Sequence, residues 1–141
     1  MHVVSIELAP ALHEYARRRF VREPRVELVL GDSALMLAEV IAQINQPITF
    51  WLDAHHSSGI TARGVTRTAL EAELQAIACH PVRSHTILID DRRCFGTVEF
   101  DYFTEAEALE ILRSIRPDYE ISTCDGSVAD DILVARPPKE V

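Results

Sequence analysis

The chain has 141 residues, of which 48% are hydrophobic and 26% charged, a composition typical of a folded α/β domain with its own core. Its formal net charge of −8 argues against nucleic acid as a partner, because such binding depends on neutralising phosphates. No apolar run approaches the roughly 18 residues that cross a bilayer, no secretory pattern is present, and three scattered cysteines fit reduced thiols, so we expect a cytoplasmic protein with no membrane contact.

The predicted elements alternate between strands and helices along the chain. Short apolar runs, and an alternating pattern near the end, predict strands over 2–7, 26–30, 48–53, 85–90, 119–124 and 132–135. Apolar residues at helical spacing predict a helix after each of the first four strands. Ser33 is the expected N-cap of the second helix, and Thr104 begins a capping-box spacing before the fourth.

Four strand–helix units followed by a hairpin predict a single α/β domain over residues 1–141. Right-handed crossovers would make the sheet mostly parallel and cover both of its faces, with an antiparallel hairpin at the carboxyl end. Phe50 and Trp51 are expected in the core. Each of the segments 54–67 and 91–103 lacks a helical or strand period, and loops of that length tend to be functional.

The strand ends resemble those of class I S-adenosylmethionine-dependent methyltransferases. In that family one strand ends in an acidic residue, as Ile6-Glu7 does, the next in Gly-Asp, as Gly31-Asp32 does, and a later one in Asp, as Asp53 does. The resemblance implies a Rossmann-like sheet and S-adenosylmethionine as cofactor. It makes Glu7 the ligand of the ribose hydroxyls, Asp32 a neighbour of the adenine amino group with Ser33 lending a backbone N–H, and Asp53 a further cofactor-binding residue.

Each acidic residue also has a purely structural interpretation. Glu7 can be a solvated charge at a helix N-terminus, favoured by the helix dipole. Asp32 can be a helix-capping carboxylate, and it can serve as a cap and bind adenine at once.

The resemblance is incomplete at its beginning. The family opens with a strand and a glycine-rich turn, whereas this sequence begins at the family's second strand and contains no GxG. The family's first strand lies between the strands that here end at Glu7 and Asp53. We therefore expect an incomplete domain that lacks the first strand and helix, with two half-sheets missing their common neighbour.

Asp53, Asp90 and Asp91 follow neighbouring predicted strands and would repel one another without a cation or proton between them. The arrangement is similar to that of metal-dependent O-methyltransferases that modify sugars and macrolides. The resemblance implies that these three residues bind Mg²⁺ or another divalent cation, with His55 or His56 as a further ligand or the catalytic general base. In the alternative interpretation, Asp90-Asp91 pairs with Arg92-Arg93 and the histidines are ordinary loop residues.

Three functional hypotheses remain open. The first is O-methyl transfer to a hydroxylated small-molecule acceptor, assisted by a divalent cation. The second is a metal-dependent phosphoesterase that uses the same carboxylates and histidines. The third is a non-catalytic remnant that forms a homodimer through exposed strand edges.

Overall fold

The computed structural model describes residues 1–53 and 69–139. The strands of this part are β1 (Val3–Glu7), β2 (Val26–Leu30), β3 (Thr49–Leu52), β4 (Thr86–Ile89), β5 (Glu120–Cys124) and β6 (Ile132–Arg136). The helices are α1 (Pro10–Arg19), α2 (Ser33–Ile41), α3 (Ala69–Cys79) and α4 (Glu105–Ile115). None of these helices combines the length and apolar character needed to cross a bilayer.

The strands form two separate sheets. One sheet contains the parallel pair β1-β2, and the other has the order β3-β4-β6-β5, in which β3 and β4 are parallel and β6 is antiparallel to β4 and β5. The predicted α/β fold with a closing antiparallel hairpin is confirmed. Within residues 1–53 and 69–139, β1 pairs with β2 alone and β3 with β4 alone, so the sheet is interrupted between β1 and β3.

The core lies in the four-stranded half of the molecule. Helices α2, α3 and α4 pack side by side as one layer, whereas α1 packs on β1 and β2. The largest side chains that are fully buried all lie between residues 70 and 134: Phe100, Phe103, Leu70, Leu74, Ile77, Ile87, Ile89, Leu112, Leu133, His85 and Val134.

Trp51 is the main departure from the predicted core. Phe50 is buried at 6% exposure, but Trp51 on the opposite face of β3 is 55% exposed, so the prediction is wrong for Trp51. Leu12 of α1 is also 51% exposed. Trp51 lies on β3, which has one unpaired edge among the described residues, and no described element covers its side chain.

The helix starts follow the predicted chemistry with one correction. Thr104 caps α4 in a full capping box with Glu107, as its spacing predicted. For α2 the N-cap is Asp32 and not Ser33, because the Asp32 side chain accepts the hydrogen bond of the Ala34 N–H at 2.9 Å. Ser33 is instead the first residue of the helix, so its side chain is available for another contact.

Two buried histidines join α2, β3 and the end of α3. The Ile48 N–H donates to His85 Nδ1 at 3.1 Å, so the other nitrogen of a neutral His85 carries the proton and donates to His80 Nδ1 at 3.0 Å. His80 Nε2 then donates to the Ile41 carbonyl at 3.1 Å. This chain of bonds is complete only when both rings are neutral, and burial lowers the pKa of His85 to about 4.

Candidate functional site

Glu7 and Asp32 lie at the same rim of the two-stranded sheet. The parallel register pairs Glu7 with Leu30, and the Gly31 N–H donates to the Glu7 carbonyl at 3.0 Å. Glu7 Oε1 accepts a bond from the Ala9 N–H at 2.7 Å, as Asp32 Oδ1 does from Ala34. Each carboxylate thus caps local backbone with one oxygen, and the second oxygen can still accept a hydrogen bond from a ligand.

Asp53 and Asp90 lie at the corresponding rim of the larger sheet. The register pairs Leu52 with Ile89, and the Asp90 N–H donates to the Leu52 carbonyl at 2.9 Å. The first residues beyond β3 and β4 are therefore neighbours across the parallel pair. This is the adjacency that the sequence predicted for these two carboxylates.

Glu73 of α3 joins the two rims and was missed by the sequence analysis. Its side chain is buried at 8% exposure and hydrogen-bonds with Ser33. Burial raises the pKa of Glu73 to about 7, and repulsion from the carboxylates of Asp32 and Asp53 adds to the increase. Residues at the ends of strands in both sheets therefore influence the pKa of this one buried carboxyl group.

The second oxygen of Glu73 is unusual among the described residues. Oε2 is inaccessible to solvent and has no hydrogen-bond partner within residues 1–53 and 69–139. Leaving a buried polar atom unsatisfied costs about 1–3 kcal/mol, so such atoms are rare in folded proteins and call for an explanation.

The sequence did contain a signal for Glu73. The buried stripe of α3 follows the spacing i, i+3, i+4 and i+7, at which the residues are Leu70, Glu73, Leu74 and Ile77. A carboxylic acid therefore occupies a position where the helical period requires an apolar side chain. Acidic residues are almost never fully buried without a partner, so this position was a candidate site residue from the sequence alone.

Three carboxylates form a second acidic cluster beyond β4. Oxygens of Asp90, Asp91 and Asp131 lie within 4.8 Å of one another, and Asp53 is not in this group. Arg93 compensates the charge: its guanidinium pairs with Asp91 at 2.7 Å and also with Asp131. The Arg93 N–H donates to Asp131 Oδ1 at 2.9 Å, which fixes the carboxylate further.

The donor set of this cluster does not fit a cation as it stands. The guanidinium of Arg93 occupies the position of the counter-charge, and the Asp91 N–H donates to Asp90 Oδ1 at 2.9 Å. The alternative interpretation was that Asp90-Asp91 pairs with Arg92-Arg93, and the ion pair between Arg93 and Asp91 agrees with part of it. The guanidinium of Arg92 does not follow it, because it pairs with Glu105 at 2.9 Å.

A cavity of about 430 Å³ adjoins this cluster. It lies between the segment after β4, the first turn of α4 and the turn before β6. Its charged lining consists of Arg92, Arg93, Glu105, Asp130 and Asp131. The predicted catalytic residues His55 and His56 fall outside the described residues.

Comparison with solved structures identifies the fold. The chain is similar to a proposed caffeoyl-CoA O-methyltransferase from Staphylococcus aureus (TM-score 0.59, 12% identity, covering 98% of this chain and 65% of that one). It is also similar to the fibrillarin pre-rRNA processing protein of Methanococcus jannaschii (0.57, 17%, 96% and 55%) and to the N-methyltransferase NodS of Bradyrhizobium japonicum (0.51, 16%, 98% and 74%).

These likenesses show the class I methyltransferase fold. No protein-family model matches the chain, and no curated protein matches it either. The chain spans 65% and 55% of the length of the first two of these structures.

Proposed function

We propose that this chain takes part in S-adenosylmethionine-dependent methyl transfer and carries the part of the site that binds the adenosine moiety of the cofactor. The observation that carries the proposal is the strand order of the class I fold with an acidic residue at the carboxyl ends of β1, β2 and β3. Ligands of open α/β sheets bind outside the carboxyl ends of their strands, next to the point where the strand order reverses.

The residues present fit the adenosine moiety. The second oxygen of Glu7 would accept hydrogen bonds from the ribose hydroxyls, and that of Asp32 would accept one from the adenine amino group. The Ser33 N–H, in the first turn of α2, would donate to a ring nitrogen, and Asp53 would border the same pocket. The bound cofactor would supply an activated methyl group on sulfonium.

The acceptor in this proposal is a hydroxylated small molecule, which makes the transfer an O-methylation. His55 or His56 would act as the general base that removes the hydroxyl proton. A cytoplasmic location belongs to the same proposal, since three free cysteines suit a reducing compartment.

The divalent cation does not fit this acidic cluster while Arg93 pairs with Asp91 and Asp131, and we derive no step from it. The role of Asp53, Asp90 and Asp91 as metal ligands stays a prediction. The phosphoesterase alternative depends on the same metal site, so the same ion pair argues against it.

Calorimetric titration with S-adenosylhomocysteine, with and without Mg²⁺, tests the proposal. We expect binding in both buffers, weakened about tenfold by Glu7→Gln or Asp32→Asn, since a hydrogen bond to a charged group contributes about 1.5–3 kcal/mol. Glu27→Gln is the matched control, because Glu27 is an exposed residue in the middle of β2. Absence of binding, or equal weakening by the control, would contradict the proposal.

The interrupted sheet favours a second candidate function, a homodimer formed through strand edges. Among the described residues, β1 and β3 each have one unpaired edge that presents backbone donors and acceptors. Val3 and Trp51 on these strands are 42% and 55% exposed. Sedimentation analysis over a concentration series tests it. A dimer whose dissociation constant increases with Trp51→Lys would support it, and a monomer at every concentration would contradict it.

A further inference from the structure

We infer that Glu73 is a positioning residue of the proposed adenosine site, holding the Ser33 side chain so that the first turn of α2 keeps the geometry that receives the base. The inference rests on the proposed function. It concerns a residue outside the strand ends and assigns a role to a carboxyl group that the packing of the fold does not explain.

The first step of the argument is the location of Glu73. Helix α3 packs beside α2, and Glu73 lies in the buried stripe of α3 between the apolar residues Leu70 and Leu74. The groups that act on its carboxyl are Ser33, Asp32 and Asp53, and these belong to the start of α2 and the end of β3. The side chain therefore reaches from one helix to the rim where the ligand is proposed to bind.

The second step is what the carboxyl does there. Because Asp32 takes the capping role at α2, the Ser33 hydroxyl is not used as the cap and bonds Glu73 instead. This bond ties the turn Gly31-Asp32-Ser33 to α3. The turn lies in the part of the chain where β1 and β2 have no backbone pairing to the larger sheet, so side-chain contacts of this kind fix its position.

The third step is the unsatisfied Oε2 of Glu73. A leucine at this position would continue the apolar stripe of α3 and would leave no buried polar atom without a partner. Stability alone therefore favours an apolar residue here. Groups that lower stability in this way are characteristic of functional sites, where they serve binding.

The test separates positioning from packing with three variants. Glu73→Leu is expected to raise the melting temperature by a few degrees, because it removes the unsatisfied atom, and to weaken S-adenosylhomocysteine binding about tenfold. Glu73→Gln retains an oxygen for Ser33 without a charge and is expected to bind like the wild type. Ser33→Ala keeps the backbone N–H but loses the hydroxyl that interacts with Glu73, and it is expected to weaken binding as Glu73→Leu does.

The double variant Glu73→Leu/Ser33→Ala completes a double-mutant cycle with the two single variants. If Glu73 acts through Ser33, the double variant binds no more weakly than either single variant. Glu110→Leu and Glu110→Gln are the matched controls, since Glu110 lies exposed on α4, and both are expected to bind like the wild type. Should Glu73→Leu not fold, Glu73→Ala takes its place in the cycle.

Four results would overturn the inference. Wild-type affinity in Glu73→Leu, an affinity of Glu73→Gln as low as that of Glu73→Leu, or additive losses in the double variant would each do so while leaving the proposed function intact. A wild-type protein that binds no S-adenosylhomocysteine would overturn the proposed function and the inference with it.

Discussion

The two halves of this molecule have similar apolar periodicity but bury their apolar side chains to different extents. Residues 1–53 contain β1 to β3, α1 and α2, and ten large hydrophobic side chains there are exposed: Met1, Val3, Leu8, Leu12, Tyr15, Phe20, Val21, Leu30, Leu35 and Trp51. Residues 69–139 expose three, Val98, Tyr102 and Val128, and contain every fully buried large side chain. Apolar periodicity is present in both halves, so burial here depends on the neighbours that each element has.

Sheet size gives the physical reason for this difference. A parallel strand has to be covered on both faces and paired on both edges to bury its apolar residues. Strand β4 is paired on both edges, by β3 and β6, whereas among the described residues β1 has a partner on one edge only. The stability of the described part is therefore concentrated in residues 69–139, which supply β4, β5 and β6 of the larger sheet.

The largest expected effect comes from the same substitution placed in each half. Leu74→Ala removes a side chain with 0% exposure and is expected to lower the free energy of unfolding by about 2–5 kcal/mol. Leu12→Ala, at 51% exposure, is expected to change it by less than about 0.5 kcal/mol. Urea unfolding measures both variants, and equal losses would contradict the concentration of stability in one half.

A smaller effect is expected when one arginine is removed from each half. Arg93→Ala leaves the nearly buried carboxylate of Asp131 close to Asp91 without its counter-charge, and a loss of about 1–3 kcal/mol is expected. Arg17→Ala removes an exposed ion pair with Glu14 and is expected to cost at most about 0.5 kcal/mol. Thermal unfolding at low and high salt distinguishes them, because only the exposed pair is strongly screened.

The smallest expected effect is a dependence on pH. Burial lowers the pKa of His85 in the folded state to about 4 from its usual 6.5, so the unfolded chain binds the proton more readily. The contribution of His85 to stability is present above pH 6.5 and is lost as the pH falls toward 4, which amounts to about 1 kcal/mol between pH 7.5 and 5.5. Urea midpoints at these two pH values measure the loss.

The control for this dependence comes from the other half. His85→Asn is expected to reduce the difference between the two midpoints, whereas His13→Asn on α1 is expected to leave it unchanged, because His13 does not belong to the buried histidine chain. An unchanged difference in His85→Asn would show that other groups cause the acid sensitivity.

Local sequence patterns were sufficient to predict the strands, the helices and the acidic residues at the strand ends. The strands ending at Glu7, Asp53 and Asp90 were identified by apolar runs that break into carboxylates. Parallel pairing then places the end of β1 beside that of β2, and the end of β3 beside that of β4. The cap of α2 was ambiguous, because Asp32 and Ser33 are both good N-caps and only the backbone geometry distinguishes them.

Contacts between distant segments were beyond local patterns. Asp131 joins Asp91 because β6 returns antiparallel to β4, and nothing in the sequence near either residue encodes that approach. Trp51 was misassigned because the strand pattern indicates which residues share a face and cannot indicate whether that face is covered. Glu73 was visible in the stripe of α3 but required attention to an acidic residue at an apolar position.

The ion pairs of Arg93 have a practical consequence for purification and storage. The positive charge that compensates Asp91 and Asp131 is part of the polypeptide, so a chelating agent cannot extract it. We expect the segment after β4 to keep its conformation in buffers containing such agents. Concentrated guanidinium salts, whose cation has the same planar shape as the arginine head group, would compete for these carboxylates.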